Sequence, residues 1–282
     1  MLLFPNAKIN LGLNILSRRP DKYHDISTVF YPVGWSDALE VISAEDDRKE
    51  CRLHLSGLPV DGDVQDNLVV KAYRMLAQDY PLPSVEVYLH KAIPFGAGLG
   101  GGSADASCML RLLRDMFSLP LSDDDLAVYA ARLGADCPFF IYNRPMLAEG
   151  IGERLSPIDI SLRGYFLVLV KPEISVSTAD AYSLVTPAVP SLSLPDVLSR
   201  PVVEWKELLV NDFEKSVFKH YPVLSHLKQQ LYDKGAVYVS MSGSGSTMYG
   251  LFEILPKELY FPDSRISVSY THLRAHETRR HL

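Results

Sequence analysis

Between an alternating apolar run and a helical one, residues 94–107 read PFGAGLGGGSADAS, with five glycines and two serines. Glycines take positive φ without steric cost, so successive backbone N–H groups can turn inward as a nest for an anion. A helix starting near Ser103 adds the positive end of its dipole. That combination is a cradle for a polyphosphate. Two other phosphate loops do not fit these residues. The G-x-x-x-x-G-K-[ST] pattern fails because no lysine follows any of the glycines. Gly96, Gly98 and Gly101 satisfy G-x-G-x-x-G, but Pro94 and Phe95 separate them from the preceding strand. The acids about 20 residues further on, Asp123 to Asp125, cap a helix instead of ending a parallel strand. The plain alternative is a flexible surface loop, yet such a loop rarely runs straight into a strongly amphipathic helix.

The elements that must hold this loop can be read from periodicity. In AKINLGLNIL, residues 7–16, Ala7, Ile9, Leu11, Leu13 and Ile15 share one face and Lys8, Asn10, Gly12 and Asn14 the other, which predicts a strand with one polar face. Further strands are expected at 26–33, 37–43, 51–55 and 84–90. Asp66 is expected to cap a helix with Leu68, Val69, Ala72 and Leu76 on one stripe. After the glycines, Ala106, Met109, Leu110, Leu113, Met116 and Phe117 keep helical spacing. Ser122 and Asp125 spell a capping box, and Gly134 is placed to end that helix in a left-handed turn, which leaves Asp136 in a loop. The second half predicts a buried strand at 165–171, a short helix after Thr178 and a helix from Pro222 to Lys234. Two more strands flank the small residues SMSGSGST, 240–247. The proline-rich stretch 187–201 reads as a surface connection, and no repeat of fixed period is visible.

A chain of 282 residues is long for one core and sufficient for two, and 47% apolar with 22% charged residues is the composition of an ordinary folded protein. The net charge of −6, without a basic stripe, argues against a nucleic-acid-binding surface. MLLF is too short for a signal segment and the longest apolar run, YFLVLV at 165–170, cannot cross a bilayer, so neither export nor membrane insertion is expected. Cys51, Cys108 and Cys137 are odd in number, far apart and without a C-x-x-C. They suggest neither a disulfide framework nor a zinc site, and fit a reducing cytoplasm. From Val268, VSYTHLRAHETRRHL changes character abruptly and reads as a translated adaptor or cloning scar. It is set aside from fold reasoning, although His272, His276 and Glu277 have the spacing of a metal-binding helix face.

Three segments taken together, PNAKINLGLNI near the start, PFGAGLGGGSADAS in the middle and SGSGSTMYGLF near the end, resemble in order and spacing the motifs of the GHMP small-molecule kinases. DKYHDI at 21–26 and GADCPFF at 134–140 resemble the branch that phosphorylates the 2-hydroxyl of a cytidine-diphosphate-linked methylerythritol in the non-mevalonate isoprenoid pathway. The likeness covers residues 5–253. The GEHTDY-like segment of galactokinases is absent, and the first strand is unlike that of homoserine kinases. One departure is GADC, where a branched residue often follows the aspartate.

The resemblance implies an α+β fold of two domains, the N-terminal one ribosomal-protein-S5-domain-2-like and the C-terminal one a ferredoxin-like α/β sandwich, with the active site in the cleft between them. The expected bounds are 1–155 and 156–267, with 268–282 a non-native tail. It also implies roles. Asp136 is expected beside the acceptor hydroxyl as general base or orienter, with Lys8 close enough to keep it ionised and to favour a developing alkoxide. Pro94, Gly96, Gly98, Leu99, Gly100, Gly101, Gly102 and Ser103 form the ATP phosphate loop, with Asn67 and Lys91 near the adenine. Asn10 shares the face of Lys8, and Thr178 and Asp180 line the acceptor's cleft. Tyr23 stacks on the cytosine while the backbone of His24 reads its edge, Tyr182 closes the other side, and Gly243, Ser244 and Gly245 support the catalytic loop and diphosphate.

ATP and Mg²⁺ are the implied cofactors, the metal bridging phosphate oxygens with no residue assigned as its ligand. The implied partner is the small-molecule substrate, with no nucleic acid and no membrane, for a cytoplasmic monomer or weak homodimer. Taken singly, an aspartate after a helix is ordinarily solvated and a strand lysine ordinarily faces water; the three motifs together carry the reading. Two other hypotheses stand beside it. One is a GHMP kinase acting on a sugar or a mevalonate-type acid, and the other a nucleotide-binding regulatory module without the chemistry.

Overall fold

Strand alternation and helical stripes sort the chain into its elements in a computed structural model that describes residues 1–44 and 49–270. The first half contains β1 (Leu2–Leu3), β2 (Asn6–Arg18), β3 (His24–Ser36), β4 (Ala38–Ser43), β5 (Cys51–Gly57), α1 (Leu68–Asp79), β6 (Val85–Lys91), α2 (Gly101–Met116), α3 (Asp123–Leu133) and α4 (Cys137–Tyr142). It is followed by β7 (Met146–Gly150), β8 (Arg154–Pro157), β9 (Phe166–Pro172), α5 (Thr178–Tyr182), α6 (Leu194–Leu198) and α7 (Trp205–Leu208). The last elements are α8 (Glu214–His220), α9 (Pro222–Asp233), β10 (Tyr238–Met241), β11 (Met248–Phe252) and β12 (Ser264–Tyr270). Two compact units interleave along the sequence: residues 1–8, 34–95 and 100–143 make one, and 9–33, 96–99 and the chain from 144 make the other. The consecutive bounds expected at 155/156 are drawn on a different basis.

In the first unit, four strands pair in the order β1-β4-β6-β5. β5 and β6 are parallel, and α1 is the crossover that such a pair needs. The period-2 pattern turns Val85, Val87 and Leu89 inward while Tyr88 and His90 face water. On the inner face lie Val69, Ala72, Tyr73 and Leu76 of α1 and Met109, Leu112 and Leu113 of α2, all buried in one cluster with Leu39 and Val41. Each such side chain taken from water stabilises the fold by about 1.5–3 kcal/mol.

Three helix ends in this unit differ from expectation. Asp63 opens a short 3-10 turn before α1, so the cap falls on Asn67, whose Oδ1 accepts from Val69 N at 2.9 Å, and not on Asp66. α2 begins at Gly101, two residues ahead of Ser103, because Gly100 takes a left-handed conformation as its cap (φ 71°). The Ser122–Asp125 capping box forms as read. Gly134 is extended (φ 174°), not left-handed, because the chain turns at once into α4, with Cys137 N donating to Gly134 O at 3.1 Å. Asp136 therefore flanks the start of a helix instead of standing in a loop.

The second unit holds the sheets β2-β3-β7-β8 and β10-β11-β9-β12. In the latter every pairing is antiparallel, and Val217, Leu224, Leu227 and Leu231 of α8 and α9 bury against Val168, Val170, Val239 and Met248. Leu13 and Ile15 of β2 join that core. The polar face of β2 is not wet: Asn10 and Asn14 are buried, and a Cβ at Gly12 would lie 2.7 Å from Leu194 and Leu209. That contact also explains why 187–201 is more than a surface connection, since Ser193 caps α6 and Leu194, Val197 and Leu198 are buried. Residues 268–270, expected in the non-native tail, complete β12, which pairs along β9 from Ser264↔Pro172 to Tyr270↔Phe166. His272, His276 and Glu277 lie outside the described residues.

Candidate active site

Lys8, expected close to Asp136, is buried in the first unit with its side chain 5% exposed, and its Nζ lies 3.6 Å from Asp136 Oδ2. The Asp136 side chain is 34% exposed, so one partner is sequestered while the other meets solvent. Burial pulls the Lys8 ammonium below its ordinary pKa, and the Asp136 carboxylate works against that shift. A lysine so placed is a sharper electrostatic partner for developing negative charge than one in water. Beside the pair, a Cβ at Gly100 would fall 2.8 Å from the Phe140 ring and 3.2 Å from Lys8 Cγ, so only glycine lets α2 start here. Ser107 Oγ bridges Ser103 O at 2.8 Å and Cys137 O at 2.7 Å, tying the first turn of α2 to the residue after Asp136. Burial pushes the Cys137 thiol up to about 11, which keeps it neutral there.

The same helix start collects further expected residues. A Cβ at Gly101 would meet Ile93 at 2.9 Å and Lys91 Nζ at 3.4 Å, and one at Gly102 would meet Leu68 at 4.0 Å. The Gly101–Ser103 turn, whose N–H groups have no partner within the helix and stand at the positive end of a sixteen-residue dipole, is thus flanked by the end of β6 and the start of α1. Lys91 is buried between Asp37 and Asp105. Asn67 uses its carbonyl oxygen as the α1 cap, leaving its amide N–H₂ for other work. Pro94 is half-buried.

In the second unit, Gly96 is exposed with nothing within 4 Å of its Cβ position, whereas Leu99 is buried and acts as an anchor for the loop. Gly98 is packed on backbone: its Cβ position is 2.1 Å from Ser242 O, a distance that no side chain survives. Ser242 Oγ donates to Gly98 O at 2.8 Å. Asn10 N approaches Ser242 Oγ at 3.3 Å, Asn10 Nδ2 donates to Thr28 Oγ1 at 2.9 Å, and Tyr249 OH donates to Asn10 O at 2.8 Å. Asn211 Nδ2 donates to Met241 O and Gly243 O, both at 2.8 Å, which fixes the turn carrying Gly243, Ser244 and Gly245. Thr28, Ser242 and Asn211 had no distinguishing sequence pattern, since each acts through contacts far along the chain.

The expected base-recognition residues are partly brought together. The ring on Tyr182 is that of His24, stacked at 4.7 Å and 22°, and Phe213 meets Tyr182 edge-on. Tyr23 is 62% exposed, its ring open to a stacking partner. Asp180 accepts from Tyr221 OH at 2.8 Å. Thr178 opens α5, and its side chain lies outside what is described.

Comparison with known proteins supplies the family. The family described as GHMP kinases N terminal domain matches residues 67–144, and GHMP kinases C terminal matches 193–259. A 4-diphosphocytidyl-2-C-methyl-D-erythritol kinase of Bacteroides fragilis is 58% identical over 252 residues, which cover 89% of this chain and 92% of that protein. A crystal structure of a 4-(cytidine 5'-diphospho)-2C-methyl-D-erythritol kinase superposes with a TM-score of 0.76 at 32% identity, covering 89% of this chain and 90% of that one. Mevalonate kinase from Methanococcus jannaschii superposes with a TM-score of 0.68 at 13% identity, covering 95% and 97%, a likeness of fold alone. With identity of that order along nine-tenths of a relative, the chain belongs to the GHMP kinases, in the family of the 4-diphosphocytidyl-2-C-methyl-D-erythritol kinases.

Proposed function

We propose that the chain transfers the γ-phosphoryl group of ATP to the 2-hydroxyl of 4-diphosphocytidyl-2-C-methyl-D-erythritol. The observation that carries the chemistry is the buried Lys8 ammonium 3.6 Å from a partly exposed Asp136, beside a glycine-built helix start. The relatives' names supply the acceptor. In this reading the N–H groups of Gly101–Ser103 bind and orient the triphosphate. The acceptor oxygen attacks the γ-phosphorus, the bond from that phosphorus to the β–γ bridging oxygen breaks, and ADP leaves. Asp136 orients the hydroxyl and takes its proton, which its exposed edge can return to water, while Lys8 stabilises charge on the oxygen.

A divalent cation belongs to the same reading. The oxygen donors at the helix start are the Ser103 hydroxyl and the Asp136 carboxylate, and among the described residues no group of three His, Cys, Asp or Glu could form a protein cage. That donor set fits Mg²⁺ carried mainly by phosphate oxygens and water, with Ser103 as its protein contact. When bound, it neutralises phosphate charge.

Tyr23, His24 and Tyr182 are the proposed cytosine site, Asn67 and Lys91 the proposed adenine side, and Asn10, Thr178, Gly243 and Ser244 the proposed acceptor contacts. Among the described residues no helix is long and apolar enough to cross a membrane. A cytoplasmic monomer or weak homodimer remains the proposed setting. The test is ADP release from ATP, with and without Mg²⁺, on the cytidine-linked acceptor and with CDP as competitor. Asp136→Asn is expected to lower kcat about 10²-fold while a nonhydrolysable ATP analogue still binds. A near-normal rate removes Asp136 from the chemistry, and indifference to CDP points to another alcohol.

A further inference from the structure

Outside the Lys8–Asp136 pair, the first unit buries a second set of charges. Lys91, the last residue of β6, has its ammonium on Asp105 Oδ2 at 2.6 Å and on Asp37 Oδ2, with all three side chains almost fully buried. The other oxygen of Asp37 accepts from Ala92 N at 2.6 Å and Ile93 N at 2.8 Å. Those two amides belong to the chain leading into the glycine loop, while Asp105 stands in α2, just past the loop. Between them, Gly101 is packed against Ile93 and the Lys91 ammonium. One ion cluster therefore grips the stretch before the loop and the helix after it.

Stability does not account for such a cluster. Burying ionised groups is costly, and apolar replacements of similar volume often do as well or better. Here the arrangement is also unbalanced, with two carboxylates on one ammonium, and Asp105 Oδ1 is buried without a hydrogen-bond partner. Burial first, with the Asp37 charge added and Lys91 opposing, pushes Asp105 up to about 7. Asp37 accepts from three donors, the Lys91 ammonium and the amides of Ala92 and Ile93. What the cluster provides is geometry: a fixed separation between the two ends of the loop.

We propose that Asp37, acting through Lys91 and with Asp105 as its counterpart on α2, is a positioning residue that holds the glycine loop and the start of α2 in the shape that binds the nucleotide phosphates. The proposal rests on the nucleotide reading above and adds residues to it that touch neither phosphate nor acceptor. It predicts a selective defect. Loosening the clamp weakens nucleotide binding and leaves recognition of the cytidine end alone, whereas a merely structural role lowers the folded fraction without changing either affinity.

The test is calorimetric titration of the purified full chain with a nonhydrolysable ATP analogue and, separately, with CDP. Asp37→Asn is expected to weaken the analogue at least tenfold and to leave the CDP affinity within twofold, with Asp105→Asn producing a smaller loss of the same kind. Should Asp37→Asn fail to fold, Asp105→Asn decides, since it removes one carboxylate, leaves Lys91 paired with Asp37, and is expected to fold with the analogue still weakened. Wild-type affinity for the analogue in either variant, or equal losses for analogue and CDP, overturns the proposal. A wild-type chain that binds CDP but not the analogue instead removes the nucleotide reading on which it stands.

Discussion

Gly100→Ala isolates the crowding at the helix start. Gly100 has φ 71°, and its Cβ position lies 2.8 and 3.0 Å from two atoms of the Phe140 ring and 3.2 Å from Lys8 Cγ. An L-residue held left-handed costs about 1–2 kcal/mol. Overpacking a filled site adds about 1–3 kcal/mol. Carbon atoms want about 3.5 Å or more between them, so the ring must retreat by roughly 0.7 Å or the lysine stem must move. Gly96→Ala is the matched control, because Gly96 has φ 60° and nothing within 4 Å of its Cβ position, so it bears the conformational cost alone. The two variants are expected to differ by about 1–3 kcal/mol in urea unfolding, with Gly100→Ala the weaker. In kcat/KM the gap is expected to be larger, about 10²-fold, because displacing Lys8 or Phe140 disturbs the alignment of the reacting groups. If both variants lose stability and kcat/KM equally, contact with Phe140 and Lys8 plays no part in shaping the site.

Because burial lowers the Lys8 pKa and Asp136 raises it, activity that needs the ammonium fades at alkaline pH below the ordinary lysine range. In Asp136→Asn the opposing charge is gone, so the alkaline limb of the residual kcat profile moves to lower pH; an unmoved or higher limb contradicts the pairing. Asn211→Ala leaves the carbonyls of Met241 and Gly243 without their donor, costing about 1–3 kcal/mol each by urea unfolding, and raises KM for the cytidine-linked acceptor through the loosened turn. Unchanged stability would show that Asn211 does not hold that turn. Asn67→Asp keeps the helix cap but loses the amide N–H₂, so thermal unfolding stays put while KM for ATP rises several-fold; an unchanged KM removes Asn67 from the nucleotide side.

Local patterns were legible where chemistry is local. The strand, glycine loop and amphipathic helix around 94–117, and the Ser122–Asp125 box, depend on residues a few positions apart and form where the pattern puts them, within two residues. Gly134 misled because a helix-ending glycine admits several conformations, and the next helix, started by Pro138 right after Cys137, selected the extended one. The polar face of β2 was legible as a face, but its cover was not. Alternation shows which residues share a side, not what covers it, and Thr28 and Ser242 cover Asn10 from 18 and 232 residues away. Asp105 was in plain view inside the glycine motif but looks like any polar helix residue until Lys91 is seen against it. Asp37 and Asn211 carry no local signature at all, since their roles are set by backbone groups remote in sequence.

The contact between Gly98 and Ser242 joins residues 144 apart. At synthesis rates of about 5–20 residues per second, the glycine loop is synthesised roughly 7–29 s before the serine that packs on it. A growing chain therefore carries its glycine loop without that buttress through much of its synthesis.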